Sequence, residues 1–335
     1  MNSYDFTPQF IVIEKTLKEI FIEKYKEQVK LQNKVLNIQS QIHSKIAKVI
    51  KINYSESNAT TLNNEDVLGN IDEYSASSIV VLFSVTISCM MGRYSLDREG
   101  LVYAHAGNEG FAELVEEGAY KTFPADDDGI IPLTDQEWFA DDATHRFREF
   151  VRVVWGEDTL QQNLDFVAES LCLYAIKAKS GESSLATIRR YLSTQFYKDH
   201  LKTYKKRPIY WLFSSGKQKA FECLVYLHRY NESTLSRMRT EYVTPLLGKY
   251  DAYAEQLQKQ LDDPTTTAEA NCLKKQQDAL NKKQSELRQF DDKLKHYAEM
   301  RIKLDLDDGV KVNYGKFGDL LFDVKGITGK APEVI

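Results

Sequence analysis

At 335 residues with 42% hydrophobic and 11% aromatic side chains, the chain is long enough to bury a core in two or three folding units, which excludes a disordered tail. Its 28% charged residues and 7 prolines suit a helix-rich protein, and a net charge of −5, taken as an average, argues weakly against a polyanionic partner. The opening Met1 to Asp5 shows no secretory pattern, and Cys89, Cys172, Cys223 and Cys272 form no C-x-x-C pair, so a cytoplasmic chain with reduced, mostly buried thiols is expected.

In chain order, the first predicted element is a long helix. Leu17, Phe21, Lys24, Gln28, Leu31, Val35, Ile38, Ile42, Lys45 and Val49 follow alternating steps of four and three, a heptad seam on a helix of about 60 Å. Asn53 to Asp72 reads as a linker. The apolar run Ile79 to Met91, interrupted by Ser84, Thr86 and Ser88, is too short to span a bilayer and is expected as a buried element, with no membrane partner. Helices are expected at Thr134 to Trp155, Thr159 to Ile176, Leu185 to Tyr204 and Lys217 to Tyr230, the last N-capped by Ser214 or Ser215. After Pro245, Leu246, Tyr250, Tyr253 and Leu257 share one face. Asp262 to Thr267 breaks the pattern, and Leu273, Leu280, Leu287 and Leu294 then recur every seven residues with Phe290 and Tyr297 beside them. In the tail, Val310, Val312 and Tyr314 alternate as in a short strand or irregular segment. The predicted fold is mainly α: a long N-terminal helix and linker (1–73), a central helix-rich α(+β) domain (74–245), a C-terminal antiparallel helical hairpin of coiled-coil type (246–304) and a tail (305–335).

Catalytic chemistry finds little support. Adjacent prolines, as in an Asn-Pro-Pro-Tyr loop that grips a flipped adenine, occur nowhere, and no glycine-rich turn for S-adenosylmethionine is present. Gly107-Asn108-Glu109-Gly110 reads as a surface turn. Asp126-Asp127-Asp128-Gly129 fails calcium-loop spacing and is expected to be a solvated turn, and His105, His145, His200 and His228 lack paired ligand spacing. No catalytic or metal-binding residue is predicted.

Charge, however, is segregated. From Glu109 to Glu169 there are sixteen acidic and four basic residues, whereas Thr187 to Lys219 holds nine basic residues against Asp199 alone. Within the second stretch cations interleave with aromatic rings. Arg189, Arg190, Tyr197, Lys198, Lys202, Tyr204, Lys205, Lys206 and Arg207 are the candidate nucleic-acid contacts, since Lys and Arg neutralise phosphates while rings stack on bases or sugars. Read from pattern alone, an amphipathic helix with a solvated basic face explains the run equally well. Arg93 and Tyr94 supplement this surface unless Arg93 pairs with an acid.

Several segments resemble the BREX phage-defence adenine methyltransferases of the PglX type. They are Cys89-Met90-Met91-Gly92-Arg93-Tyr94-Ser95-Leu96-Asp97, Phe123 through Pro132, Lys198 through Ser215, Tyr226-Leu227-His228-Arg229-Tyr230 and Leu304 through Val310; Tyr4-Asp5-Phe6 is a weaker echo. The resemblance implies the C-terminal, DNA target-recognition part of such an enzyme. S-adenosylmethionine and catalysis would belong to a separate N-terminal methyltransferase half, and this chain alone would be inactive. The implied partners are double-stranded DNA, that half, and other BREX proteins or a phage inhibitor. The alternative is a helical scaffold that docks BREX components, or the target of a phage DNA mimic.

Overall fold

The computed structural model describes residues 15–20, 22–27, 29–30, 79–264 and 266–332. The heptad seam beyond residue 30, the linker at 53–72 and Tyr4-Asp5-Phe6 lie outside the described residues. Residues 17–20, 22–27 and 29–30 are helical (α1). A reciprocal pair opens α1: Thr16 N–H donates to Glu19 Oε2 at 2.9 Å, and Glu19 N–H donates to Thr16 Oγ1 at 3.3 Å. Buried Leu17 fixes it to the domain, its N–H donating to Asn163 Oδ1 at 3.0 Å.

The remaining helices are α2 (79–90), α3 (Phe111–Glu116), α4 (Ala143–Trp155), α5 (Leu160–Tyr174), α6 (Ser184–Tyr191), α7 (Tyr197–Thr203), α8 (Thr234–Arg237), α9 (Thr244–Asp262), α10 (Thr267–Glu299), α11 (Gly309–Gly315) and α12 (Val324–Thr328). Three short strands, β1 (Ile130–Pro132), β2 (Tyr210–Ser214) and β3 (Glu222–Tyr226), form an antiparallel sheet in the order β1-β3-β2. The described residues are mainly helical, with one small sheet among them.

The sheet is a partition between two apolar cores. Side chains alternate across a strand, so Ile131, Tyr210, Leu212, Leu224 and Tyr226 face a core completed by α2 and α4–α7. Ile130, Trp211, Phe213, Cys223 and Val225 face a second core completed by α9, α10 and the tail. Beyond β2 the chain returns, with Phe322 N–H donating to Leu212 O at 2.9 Å.

Helices α9 and α10 run antiparallel. Gln258 meets Gln277, Asp251 meets Gln284, and Arg239, just before α9, meets Asp291. Leu257, Leu273, Leu280, Leu287, Phe290, Leu294 and Tyr297 are buried along their apolar faces.

Four expectations are corrected. Lys217 to Tyr230 is not a helix but a turn followed by β3: both faces of this strand are buried, so its sequence is a nearly continuous apolar run without visible period-two alternation. Ser215 caps no helix; Ser215 Oγ donates to Glu286 Oε1 at 2.7 Å, and Gln218 N–H donates to Glu286 Oε2 at 2.6 Å, so an α10 carboxylate closes the β2–β3 turn. The expected helix from Thr134 starts only at Ala143, where Asp142 accepts from Thr144 N–H at 2.9 Å. The tail around Val310 is helical, α11, and Asn313 Nδ2 donates to Gly309 O at 3.1 Å at its start. Of the cysteines, Cys89 and Cys223 are buried, whereas Cys272 is exposed.

Candidate nucleic-acid interface

The basic run occupies α6, α7 and the turn that leads into β2. Ser183 caps α6, its Oγ accepting from Ala186 N–H at 3.2 Å. A π-helical turn, Leu192–Phe196, joins α6 to α7, a departure from α geometry that shifts the phase of one helix against the other. Across that turn the fate of the cations changes.

On α6 they face inward. Arg189 Nη1 donates to Asp142 Oδ2 at 2.8 Å and to Thr134 O at 3.1 Å, with Asp142 only 1% exposed. Arg190 grips Glu182 through Nε at 2.9 Å and Nη2 at 2.5 Å, and Arg190 holds the Glu182 carboxyl below the usual carboxylate range. Tyr197 is buried, its hydroxyl 3.2 Å from that of Tyr314. These three expected contacts are therefore structural in this fold.

On α7 and its exit the cations face outward. Lys198, Lys202, Lys205, Lys206 and Arg207 are exposed, and Tyr204 is half-buried. Lys202 lies 3.6 Å from Asp199; the other four have no carboxylate partner among the described residues. A rigid floor supports them. His200 is buried among the rings of Phe196, Tyr197, Tyr204 and Tyr210 and accepts from Tyr210 N–H at 3.3 Å. Burial pushes its imidazole down to about 3, so it is a neutral pin at physiological pH.

The end of α7 is strained. Lys206 N–H donates to Leu201 O at 2.8 Å and Lys205 N–H to Lys202 O at 3.1 Å, the two closures of a Schellman cap. Such caps favour glycine at the left-handed position, yet Lys205 (φ 50°) and Lys206 (φ 59°) both occupy that region. Each costs roughly 1 kcal/mol relative to glycine. Because the backbone amides are already engaged, what the turn offers a ligand is side-chain charge.

Helix α2 ends in the same motif with the expected residue. Arg93 N–H donates to Ser88 O at 2.9 Å and Gly92 N–H to Cys89 O at 3.1 Å. Gly92 has φ 73°, and a Cβ there would come within 2.5 Å of the Phe111 ring. Arg93 is thereby aimed at the sheet, its Nη1 donating to Tyr226 Oη at 3.1 Å. Between α2 and α7 lies a cleft of about 220 Å³, bordered by Tyr94, Tyr204, Ser88 and His200.

The aspartate-rich turn is only partly solvated: Asp127 is exposed and its neighbours are not. Asp126 and Asp128 are both buried, and Asp126 Oδ1 accepts from Gly129 N–H at 2.7 Å while Asp128 Oδ2 accepts from Tyr242 Oη at 2.9 Å. Arg229, also buried, donates to the carbonyls of Asp126 and Asp127 and lies 3.6 Å above the Phe111 ring. Burial, reinforced by Asp128, raises the Asp126 carboxyl well above the usual range. Sequence reasoning missed this network because Arg229 lies a hundred residues from the aspartates it caps. Among the described residues no group of three His, Cys, Asp or Glu side chains is arranged to hold a metal ion, and no helix is long and apolar enough to cross a membrane.

The adenine-specific methyltransferase BrxX of Escherichia coli O9:H4 (strain HS) is 62% identical over 320 residues, which is 92% of this chain and 26% of the relative. The chain is a homologue of one part of the BrxX and PglX adenine-specific methyltransferases. The PglX enzyme of Lacticaseibacillus casei (strain Zhang) is 43% identical over 241 residues, covering 71% of this chain and 19% of that protein. The chain thus spans about a quarter or less of the length of the BrxX and PglX relatives it matches. No family model matches it. Two segments that carried the resemblance, Phe123 through Pro132 and Tyr226 through Tyr230, meet at Arg229; the other two discussed here form the α2 and α7 exits.

Proposed function

We propose that the chain is the DNA target-recognition part of a BREX-type adenine-specific methyltransferase, working beside a methyltransferase half that holds S-adenosylmethionine. The observation that carries this reading is the outward row of Lys198, Lys202, Lys205, Lys206 and Arg207, four of them unpaired among the described residues, on a chain whose net charge is −5. An unneutralised cationic row on an otherwise acidic molecule favours a polyanion. These residues hold backbone phosphates, which supply affinity and register; sequence is read by neighbours that contact base edges. Arg189, Arg190 and Tyr197 position this surface from behind. The N-terminal helix and the α9–α10 hairpin, read as a coiled coil, set the spacing to the catalytic half. The complex works in the cytoplasm.

The test is salt-titrated binding of the chain to duplex DNA, with and without a separately supplied methyltransferase half. Expected is duplex binding by the chain alone that weakens linearly in log–log form with salt, and methyl transfer only when the half is added. Absence of duplex affinity at low salt, together with capture of other BREX proteins after nuclease treatment, would favour a scaffold built on the 33-residue α10 instead.

A further inference from the structure

Arg93 is the cation that neither the inward nor the outward group accounts for. It is half-buried at the end of α2, and its Nε is sealed from solvent without an acceptor among the described residues. Its partners there are neutral tyrosines: Nη1 donates to Tyr226 Oη at 3.1 Å, the Tyr94 hydroxyl also interacts with the guanidinium, and the guanidinium lies 5.4 Å from the Tyr94 ring centre and 6.0 Å from that of Tyr226. No described carboxylate pairs with it. Three other withdrawn arginines are arranged differently: Arg189 and Arg190 meet carboxylates, and Arg229 is saturated by two carbonyls and Asn108.

A guanidinium taken partly out of water without a counter-charge costs free energy that a bound anion would offset. The charge of Arg93 is felt by its neighbours. Burial lowers the pKa of His228, and the charges of Arg93 and His105 lower it further. The same charge reaches Tyr204, which borders the α2–α7 cleft and immediately precedes the Lys205–Lys206 turn. Gly92 fixes the approach, since neither its φ nor its space admits a side chain.

We infer that Arg93 is a phosphate anchor of the DNA interface, a fixed guanidinium that takes a backbone phosphate next to those held by the exposed α7 cations. This rests on the DNA reading above. Tyr226 and Tyr94 hold the guanidinium in place, so it meets a phosphate without the ordering cost a solvated lysine would incur. Tyr226 is here a positioning residue.

The test follows the arginine Nε–H resonances of selectively labelled protein by NMR, that of Arg93 being assigned by its loss in Arg93→Lys. A 12-base-pair duplex at low salt should shift the Arg93 resonance, while inorganic phosphate at the same total phosphate concentration should not. Arg93→Gln should weaken duplex binding about tenfold and lower the salt slope by about 0.9, whereas Tyr226→Phe should weaken it less and leave the slope unchanged. An Arg93 resonance unmoved by saturating duplex would overturn the inference, and this readout uses the unaltered protein. A shift produced equally by inorganic phosphate would make it a small-anion site and also overturn the DNA assignment. The two readings separate cleanly: if replacing Lys202, Lys205, Lys206 and Arg207 by Ala leaves binding unchanged while Arg93 still responds, the proposed surface is lost and the anchor stands. Loss of binding in that variant beside a silent Arg93 gives the reverse.

Discussion

The two halves of the basic run, α6 before the π turn and α7 after it, are close in composition and opposite in use. Arg189 and Arg190 are held by Asp142 and Glu182, whereas Lys198, Lys205, Lys206 and Arg207 face solvent without a described carboxylate partner. Arg207 apart, the residue types differ accordingly. A planar guanidinium suits a fixed, half-buried pairing, and a flexible ammonium suits an exposed charge waiting for a phosphate. A row of cations in sequence is therefore two objects in space, one structural and one available.

The largest expected effect breaks the structural half. Arg189→Gln leaves Asp142 buried without its counter-charge and should cost about 3 kcal/mol of stability in denaturant unfolding; its salt slope for duplex DNA, measured on folded protein, should match the parent. Next comes the floor under the available half. Unfolded chain takes a proton on His200 from about pH 6.5 downward, but folded chain resists until about 3, so stability contributed by the neutral imidazole is lost as pH falls through that window. At pH 5 this group makes the fold about 2 kcal/mol less stable than at pH 8. His200→Gln, which keeps an acceptor for Tyr210 N–H, should remove that part of the acid dependence. The smallest effect is the most specific to the comparison. Lys205→Gly relieves left-handed strain and should raise stability by about 1 kcal/mol while lowering the salt slope by about 0.9. A variant more stable and yet weaker in binding marks a residue kept for its charge.

The mainly helical character was legible because period is a local signal. Leu273, Leu280, Leu287 and Leu294 repeat every seven residues, and all four are buried. Helix α5 lies close to its expected span for the same reason, while the single helix expected at Leu185 to Tyr204 is divided into α6 and α7 by the π turn. Strand β3 was illegible because both of its faces are covered, so nothing in Phe221 to Tyr226 alternates, and because the turn before it is closed by Glu286 from a helix 66 to 71 residues away. The candidate site was legible only as a composition. Which cations are neutralised depends on Asp142, 47 positions from Arg189, and on a π turn that no periodicity announces. Arg93 was visible in the sequence as a supplement to the basic surface, and only the structure reveals that it lacks a described acidic partner.

The central claim is that charge on α7 and its exit, and not on α6, meets DNA. The direct measurement is the salt dependence of duplex affinity for Lys202, Lys205, Lys206 and Arg207 replaced together by Ala, set beside Arg189→Gln with Arg190→Gln. The account predicts a slope reduced by about 0.9 for each phosphate that the first variant no longer neutralises and an unchanged slope in the second. Equal slopes in the parent and the four-alanine variant would contradict it.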